Sequence, residues 1–171
     1  MKIHKKMLFS IPVLVILAAV FLGYKIWATL QHMEEVTITS QNLPSVALRN
    51  IDGTILFTDS LKESKDLLVL NYFNPDCDHC KNMVQELFRE RSLLENVRWL
   101  MVTTNTVENT QRFADSMNIA QLPNVTVLND TASFISKTFG AVSVPSFYVY
   151  RKGTLIRKHT GECSIAYLVQ Q

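Results

Sequence analysis

Asn71-Tyr72-Phe73-Asn74-Pro75-Asp76-Cys77-Asp78-His79-Cys80-Lys81 joins two segments of different period. Upstream, residues 67–73 (Leu-Leu-Val-Leu-Asn-Tyr-Phe) are an apolar, β-prone run, which predicts a buried strand. Asn74-Pro75-Asp76 carries turn chemistry. Downstream, Met83, Val84, Leu87 and Phe88 share one helical face, predicting a helix from Asp78 to about residue 95. The two cysteines thus sit where a strand ends and a helix begins. Free N–H groups and the helix dipole favour an anion at that place, and the thiolate is the reactive form of cysteine. A redox-active pair, Cys77 with Cys80, is the expectation.

Two other readings of the pair have less behind them. A zinc site needs further ligands, and only Cys163 and four scattered histidines remain. A static disulfide across a two-residue gap constrains the unfolded chain little. The 171 residues allow one domain plus an appendage. With a net charge of +2 and dispersed basic residues, the chain has no nucleic-acid footprint. Three cysteines are too few for a disulfide scaffold, and Cys163 reads as a half-buried thiol in the last helix. Neither a metal nor a cofactor is expected.

Lys2, Lys5 and Lys6 precede an uncharged stretch, residues 7–24, and the apolar character resumes after Lys25 as far as Leu30. Residues 7–30 are long enough to cross a bilayer as a helix, with Tyr24 and Trp27 suited to the interface. Lysines before the span and Glu34-Glu35 after it place residues 1–6 in the cytoplasm and the rest outside. The competing reading is a cleaved signal peptide, but no small-x-small site follows before Lys25. Both readings export the remainder, residues 31–42 as a linker and residues 43–171 as the domain.

Along that domain, Asp52-Gly53 between apolar stretches signals a hairpin. Further strands are expected at residues 97–104, 125–128, 146–150 and 154–159. Helices are expected from a cap at Asn105 or Thr106 to Met117, over residues 131–139, and over residues 162–170. Strands alternating with helices, then a hairpin and a last helix, predict an α/β fold with a central mixed sheet flanked on both faces.

From about Leu43 to Gln171 the chain resembles the TlpA/ResA-like branch of membrane-anchored, thioredoxin-fold thiol-disulfide oxidoreductases. The resemblance is carried by Leu43-Pro44 with the Asp52-Gly53 hairpin and by Leu68-Val69-Leu70-Asn71-Tyr72-Phe73 ahead of Cys77-Asp78-His79-Cys80. Val144-Pro145-Ser146-Phe147 ahead of Lys152-Gly153 completes it. It implies a thioredoxin-like fold with an N-terminal hairpin and a strand–helix insertion. It also implies a cis Val144–Pro145 bond beside the cysteines, whose loop offers backbone groups to a substrate peptide. Protein thiols and disulfides would be the substrates, the role that of a reductant, and the electron donor a membrane or extracytoplasmic one. The domain would stand on the periplasmic or extracytoplasmic side of the inner membrane.

Three positions depart from that pattern. Asp76 stands where a Trp is usual, Met83 where an acidic residue is frequent, and Asn71 in place of a buried Asp. An amide cannot act as a general base, so Asn71 leaves water or a side chain such as Glu86 to take the Cys80 proton. Cys77, nearer solvent, is the expected nucleophile and Cys80 the resolving thiol. His79, if protonated, favours the Cys77 thiolate, or else it is a solvated first-turn side chain; Asp76 and Asp78 act against the thiolate. Two further classes stay open. A peroxiredoxin-like peroxidase needs a Thr ahead of its reactive Cys, which Asn74-Pro75-Asp76-Cys77 lacks. A redox-inactive partner-binding or metal-delivery module would favour Cys-x-x-x-Cys over the spacing found here.

Overall fold

The computed structural model describes residues 12, 14–29, 40–140 and 143–170. The chain divides into two compact units, Met1–Thr37 and Ile38–Gln171. In the first, residues 14–29 form a helix, α1, whose large apolar side chains from Leu14 to Trp27 are exposed. At about 1.5 Å per residue, α1 extends for about 24 Å, against a hydrocarbon core of about 30 Å. Among the described residues no helix is long and apolar enough to cross a membrane. The span expected over residues 7–30 lies partly outside the described residues, as do residues 1–6 and most of 31–42.

The second unit is built on seven strands: β1 (Ala47–Asn50), β2 (Ile55–Phe57), β3 (Leu67–Tyr72), β4 (Val97–Thr103), β5 (Val125–Asn129), β6 (Ser146–Arg151) and β7 (Thr154–Thr160). They lie in the order β2-β1-β5-β4-β3-β6-β7. The neighbours β3, β4 and β5 are parallel, while the two hairpins at the ends pair antiparallel, so the sheet is mixed. Among the described residues four helices of known bounds accompany it: α2 (Asp78–Arg89), α3 (Val107–Ser116), α4 (Phe134–Phe139) and α5 (Ile165–Val169). Parallel neighbours need crossovers, and α2 and α3 supply them.

Because strand side chains alternate, β3 feeds two cores. Val69 and Phe73 join Cys80, Met83, Val84 and Leu87 of α2, Phe113 of α3 and Ile165 of α5 on one face. Leu68 and Leu70 join Leu43, Leu48, Tyr148, Tyr150 and Ile135 and Phe139 of α4 on the other. Five of the six residues of β3 are buried, as the continuous apolar run predicted. The fold is thioredoxin-like, with helices on both faces of a mixed sheet.

Both predicted hairpins form. Gly53 takes φ +89 and its N–H reaches Asn50 O at 3.0 Å, closing β1 on β2. Lys152 and Gly153 both have positive φ, as a two-residue hairpin joining right-twisted strands requires. The structure also draws residues 41–42 of the expected linker into the domain. Leu155 N–H donates to Gln41 O at 2.8 Å, and Asn42 bridges to Thr154.

Three helices differ from their expected limits. α2 ends at Arg89 and the chain tightens into a 3-10 turn, Arg91–Leu94, which still buries Leu94 before Val97 enters β4. Ser133, at φ +52, cannot continue a right-handed helix, and Asp130 Oδ2 accepts the Ile135 N–H at 2.7 Å, so α4 starts three residues late. Gly161 has φ +93 and Ser164 caps α5 through its Oγ, which moves that helix start to Ile165. Cys163 therefore lies in the loop before the last helix, not on it.

Candidate active site

At the end of β3 the backbone turns through Asn74. Its Oδ1 accepts the Asp76 N–H at 3.0 Å and its carbonyl accepts the Cys77 N–H at 3.1 Å. These bonds fix Cys77 as the N-cap of α2, in extended conformation, with its side chain making no capping bond. The Cys77 carbonyl receives the N–H groups of Cys80 (3.0 Å) and Lys81 (3.1 Å), which starts the helix. One turn on, Cys80 is 1% exposed, whereas Cys77 is only partly buried. The sulfur at the helix mouth is thus the one that reaches solvent.

The Val144–Pro145 bond is cis, and the Cys77 thiol points at Val144 O across 3.9 Å. Pro145 is buried, its carbonyl accepting the Gly161 N–H at 2.8 Å. Val144 and Pro145 therefore stand beside the cysteines, as the resemblance implied. Asn71, on the strand that leads to the cysteines, is buried. Its Nδ2 donates to Ser146 O at 3.4 Å and to Tyr72 O at 3.3 Å, and its Oδ1 receives Trp99 Nε1–H at 3.5 Å. This neutral amide donates both its N–H groups and accepts one bond, across three strands.

The polar groups of the first helical turn are paired. Asp78 meets Lys81 Nζ at 2.8 Å, and that ammonium holds its carboxyl below the ordinary range. His79 Nδ1 contacts Glu162 Oε1, which also accepts Asn82 Nδ2–H at 3.1 Å. The bond to His79, and then that to Asn82, lower the Glu162 carboxyl in turn. Glu86 pairs with Arg89 at 2.5 Å. Among the described residues no group of three or more His, Cys, Asp and Glu is arranged to hold a metal ion.

Residues 39–160, spanning all seven strands, match the model of the AhpC/TSA family. The chain belongs to the AhpC/TSA family. The solved structures that it resembles include a disulfide oxidoreductase homologous to DsbE and a putative thiol:disulfide interchange protein DsbE from Chlorobium tepidum. A secreted disulfide oxidoreductase of Mycobacterium tuberculosis, homologous to E. coli DsbE, superimposes with TM-score 0.58 at 21% identity. The match covers 74% of this chain and 87% of that one. DsbF of the same organism gives 0.63 at 19%, over 77% and 93%. StoA from Bacillus subtilis gives 0.56 at 14%, over 76% and 97%. No curated protein matches the chain.

Within this AhpC/TSA domain, burial sets the two inner thiols apart. It pushes Cys80 up to about 12, with neighbouring Cys77 adding to the rise, and pushes Cys163 up to about 11. An acid whose folded value is raised keeps its proton after the unfolded chain has lost it, so alkali favours unfolding. Stability of the reduced protein should therefore be intact below about pH 9 and fall as pH rises towards 12. Urea unfolding at a series of alkaline pH values should show this decline, and Cys80→Ala should make it shallower. An equally steep decline without Cys80 would mean that its thiol ionises freely in the fold.

Sequence reading put Cys77, Asp78, His79 and Cys80 at one helix start, the resemblance put Val144 and Pro145 beside them, and in the structure Val144 O lies 3.9 Å from Cys77 Sγ. Both readings passed over Glu162 and Asn82. Glu162 reads as the first acidic residue of a helix that in fact starts later. Its partner His79 is 83 residues away, beyond any local pattern.

Proposed function

We propose that the domain reduces protein disulfides through Cys77 and Cys80. The observation that carries this is the contrast between an accessible sulfur at a helix N-terminus beside Val144 O and a buried sulfur one turn later. The Cys77 thiolate attacks one sulfur of a substrate disulfide. A Cys77–substrate bond forms, the substrate S–S bond breaks, and the departing thiolate takes up a proton. Cys80 then gives its proton to water and attacks Cys77 Sγ. The substrate leaves as a second thiol, and the pair ends as a disulfide, two electrons poorer. Burial keeps Cys80 protonated until that step. Val144, joined to Pro145 by the cis bond, offers backbone to the substrate chain. An open groove of about 460 Å³ on the other flank, with Pro75, Asp76 and Arg112 in its wall, has room for a further part of it. An external donor re-reduces the pair. Insulin reduction by the wild type and by Cys77→Ser, with peroxide consumption measured in parallel, tests the reading. Peroxide turnover without disulfide exchange would replace it by a peroxidase, and neither activity by a partner-binding module.

The same reading puts the domain, residues 43–171, on the extracytoplasmic face, held by a span over residues 7–30 with residues 1–6 in the cytoplasm. A helix apolar on every side needs a non-aqueous surrounding, and the exposed side chains of α1 fit that requirement. An impermeant protease added to cells with a permeabilised outer layer should remove the domain. Protection of the domain would reverse the orientation.

A further inference from the structure

We infer that Glu162 is a positioning residue that keeps the Cys77–Cys80 pair reducing, by engaging His79 and holding a carboxylate at the mouth of the site. The inference rests on the oxidoreductase reading above.

Glu162 reaches this place through the hairpin. β7 ends at Thr160, and the Gly161 N–H is held by Pro145 O, so the next residue emerges beside the loop that faces Cys77. From there its Oε1 takes both His79 Nδ1 and Asn82 Nδ2, two groups on the first turns of α2. His79 is otherwise mostly exposed, its side chain 72% accessible, and its ring has no second hydrogen bond among the described residues. The bond to Glu162 is what orients the imidazole.

The charges around the thiols give this bond its consequence. His79 and Lys81 are the basic side chains of the helix start, and each meets a carboxylate, Glu162 and Asp78 respectively. Asp76 adds a third carboxylate on the preceding turn. From β7, His159 faces the Glu162 backbone, with Nε2 3.4 Å from its carbonyl, and leaves the carboxylate to His79. A carboxylate held near a thiol disfavours the thiolate and with it the dithiol form, which keeps the pair reducing.

A purely structural role would have Glu162 only fasten the loop to α2. Two substitutions separate these roles. Glu162→Gln removes the charge and keeps a side chain able to bond Asn82; Asn82→Ala loosens the fastening and leaves the charge. The full chain and both variants are equilibrated in glutathione redox buffers, and the Cys77–Cys80 disulfide fraction is read by thiol alkylation and mass. Glu162→Gln should shift the equilibrium towards the dithiol about fivefold, about 21 mV more oxidising at 29.6 mV per tenfold. Its thiolate absorbance should also appear at lower pH, while Asn82→Ala should leave both readouts where they are. An unchanged potential in Glu162→Gln, or an equal shift in Asn82→Ala, would overturn the inference. A wild-type pair that forms no disulfide in any buffer would instead overturn the oxidoreductase reading on which it rests.

Discussion

Cys80→Ser is expected to accumulate mixed disulfides with protein substrates through Cys77, and Cys77→Ser to accumulate none and to fall to background in insulin reduction. The asymmetry follows from where α2 begins. Its N-cap sulfur has no capping bond, reaches solvent, and sits among the unpaired N–H groups of the first turn, where an anion is favoured. Serine at position 80 has no sulfur to attack the mixed disulfide, so the intermediate persists. Serine at position 77 leaves only a thiol that is 1% exposed and that burial pushes up to about 12, so too little thiolate meets the substrate. Non-reducing electrophoresis followed by peptide mass mapping reads both outcomes. Equal trapping by the two variants, or trapping through Cys163, would contradict the roles assigned to the pair.

What the sequence made legible were features decided within a few residues. The change from a continuous apolar run to a helical stripe locates the start of α2 at Asp78 and the end of β3 to within one residue, since burial on both faces and on one face leave different patterns. Gly153 announces its hairpin because glycine takes the positive φ of the turn without steric cost. The start of α4 escaped because the left-handed Ser133 and the Asp130 carboxylate override an apolar pattern that would have allowed a longer helix. α5 was misjudged for a similar reason: Ser164 is the cap, and Glu162 faces His79 instead of entering the helix.

The site divides along the same line. Both cysteines and their place on a helix were legible, because two residues of spacing are a local fact. That Val144 and Pro145 stand beside them came only from the resemblance, since their contact with Cys77 spans 67 residues. The pairing of His79 with Glu162 was visible from neither source. It depends on the register of β6 and β7, which brings the Gly161 turn level with the Pro145 carbonyl.

Trp99→Ala should cost the domain about 3–5 kcal/mol, a large share of the 5–15 kcal/mol typical of a domain. Trp99 is 0% exposed on β4, paired with Val69 of β3 and Val125 of β5, so neither neighbour can move in to fill the space. Its ring meets Phe147 edge-on at 5.9 Å, and its Nε1–H points to Asn71 Oδ1. Phe147 follows Pro145 by two residues, and Asn71 lies on the strand that delivers Cys77. One side chain thus supports both strands that carry the site. Trp99→Phe keeps much of the apolar volume and removes the donor, leaving a buried carbonyl oxygen unpaired, which costs about 1–3 kcal/mol. Urea midpoints should therefore fall in the order wild type, Trp99→Phe, Trp99→Ala. Disulfide exchange measured below the transition should weaken in the same order, because the two strands lose their common support. A loss under about 1 kcal/mol in Trp99→Ala would be too small for a fully buried tryptophan and would place β4 away from the middle of the sheet.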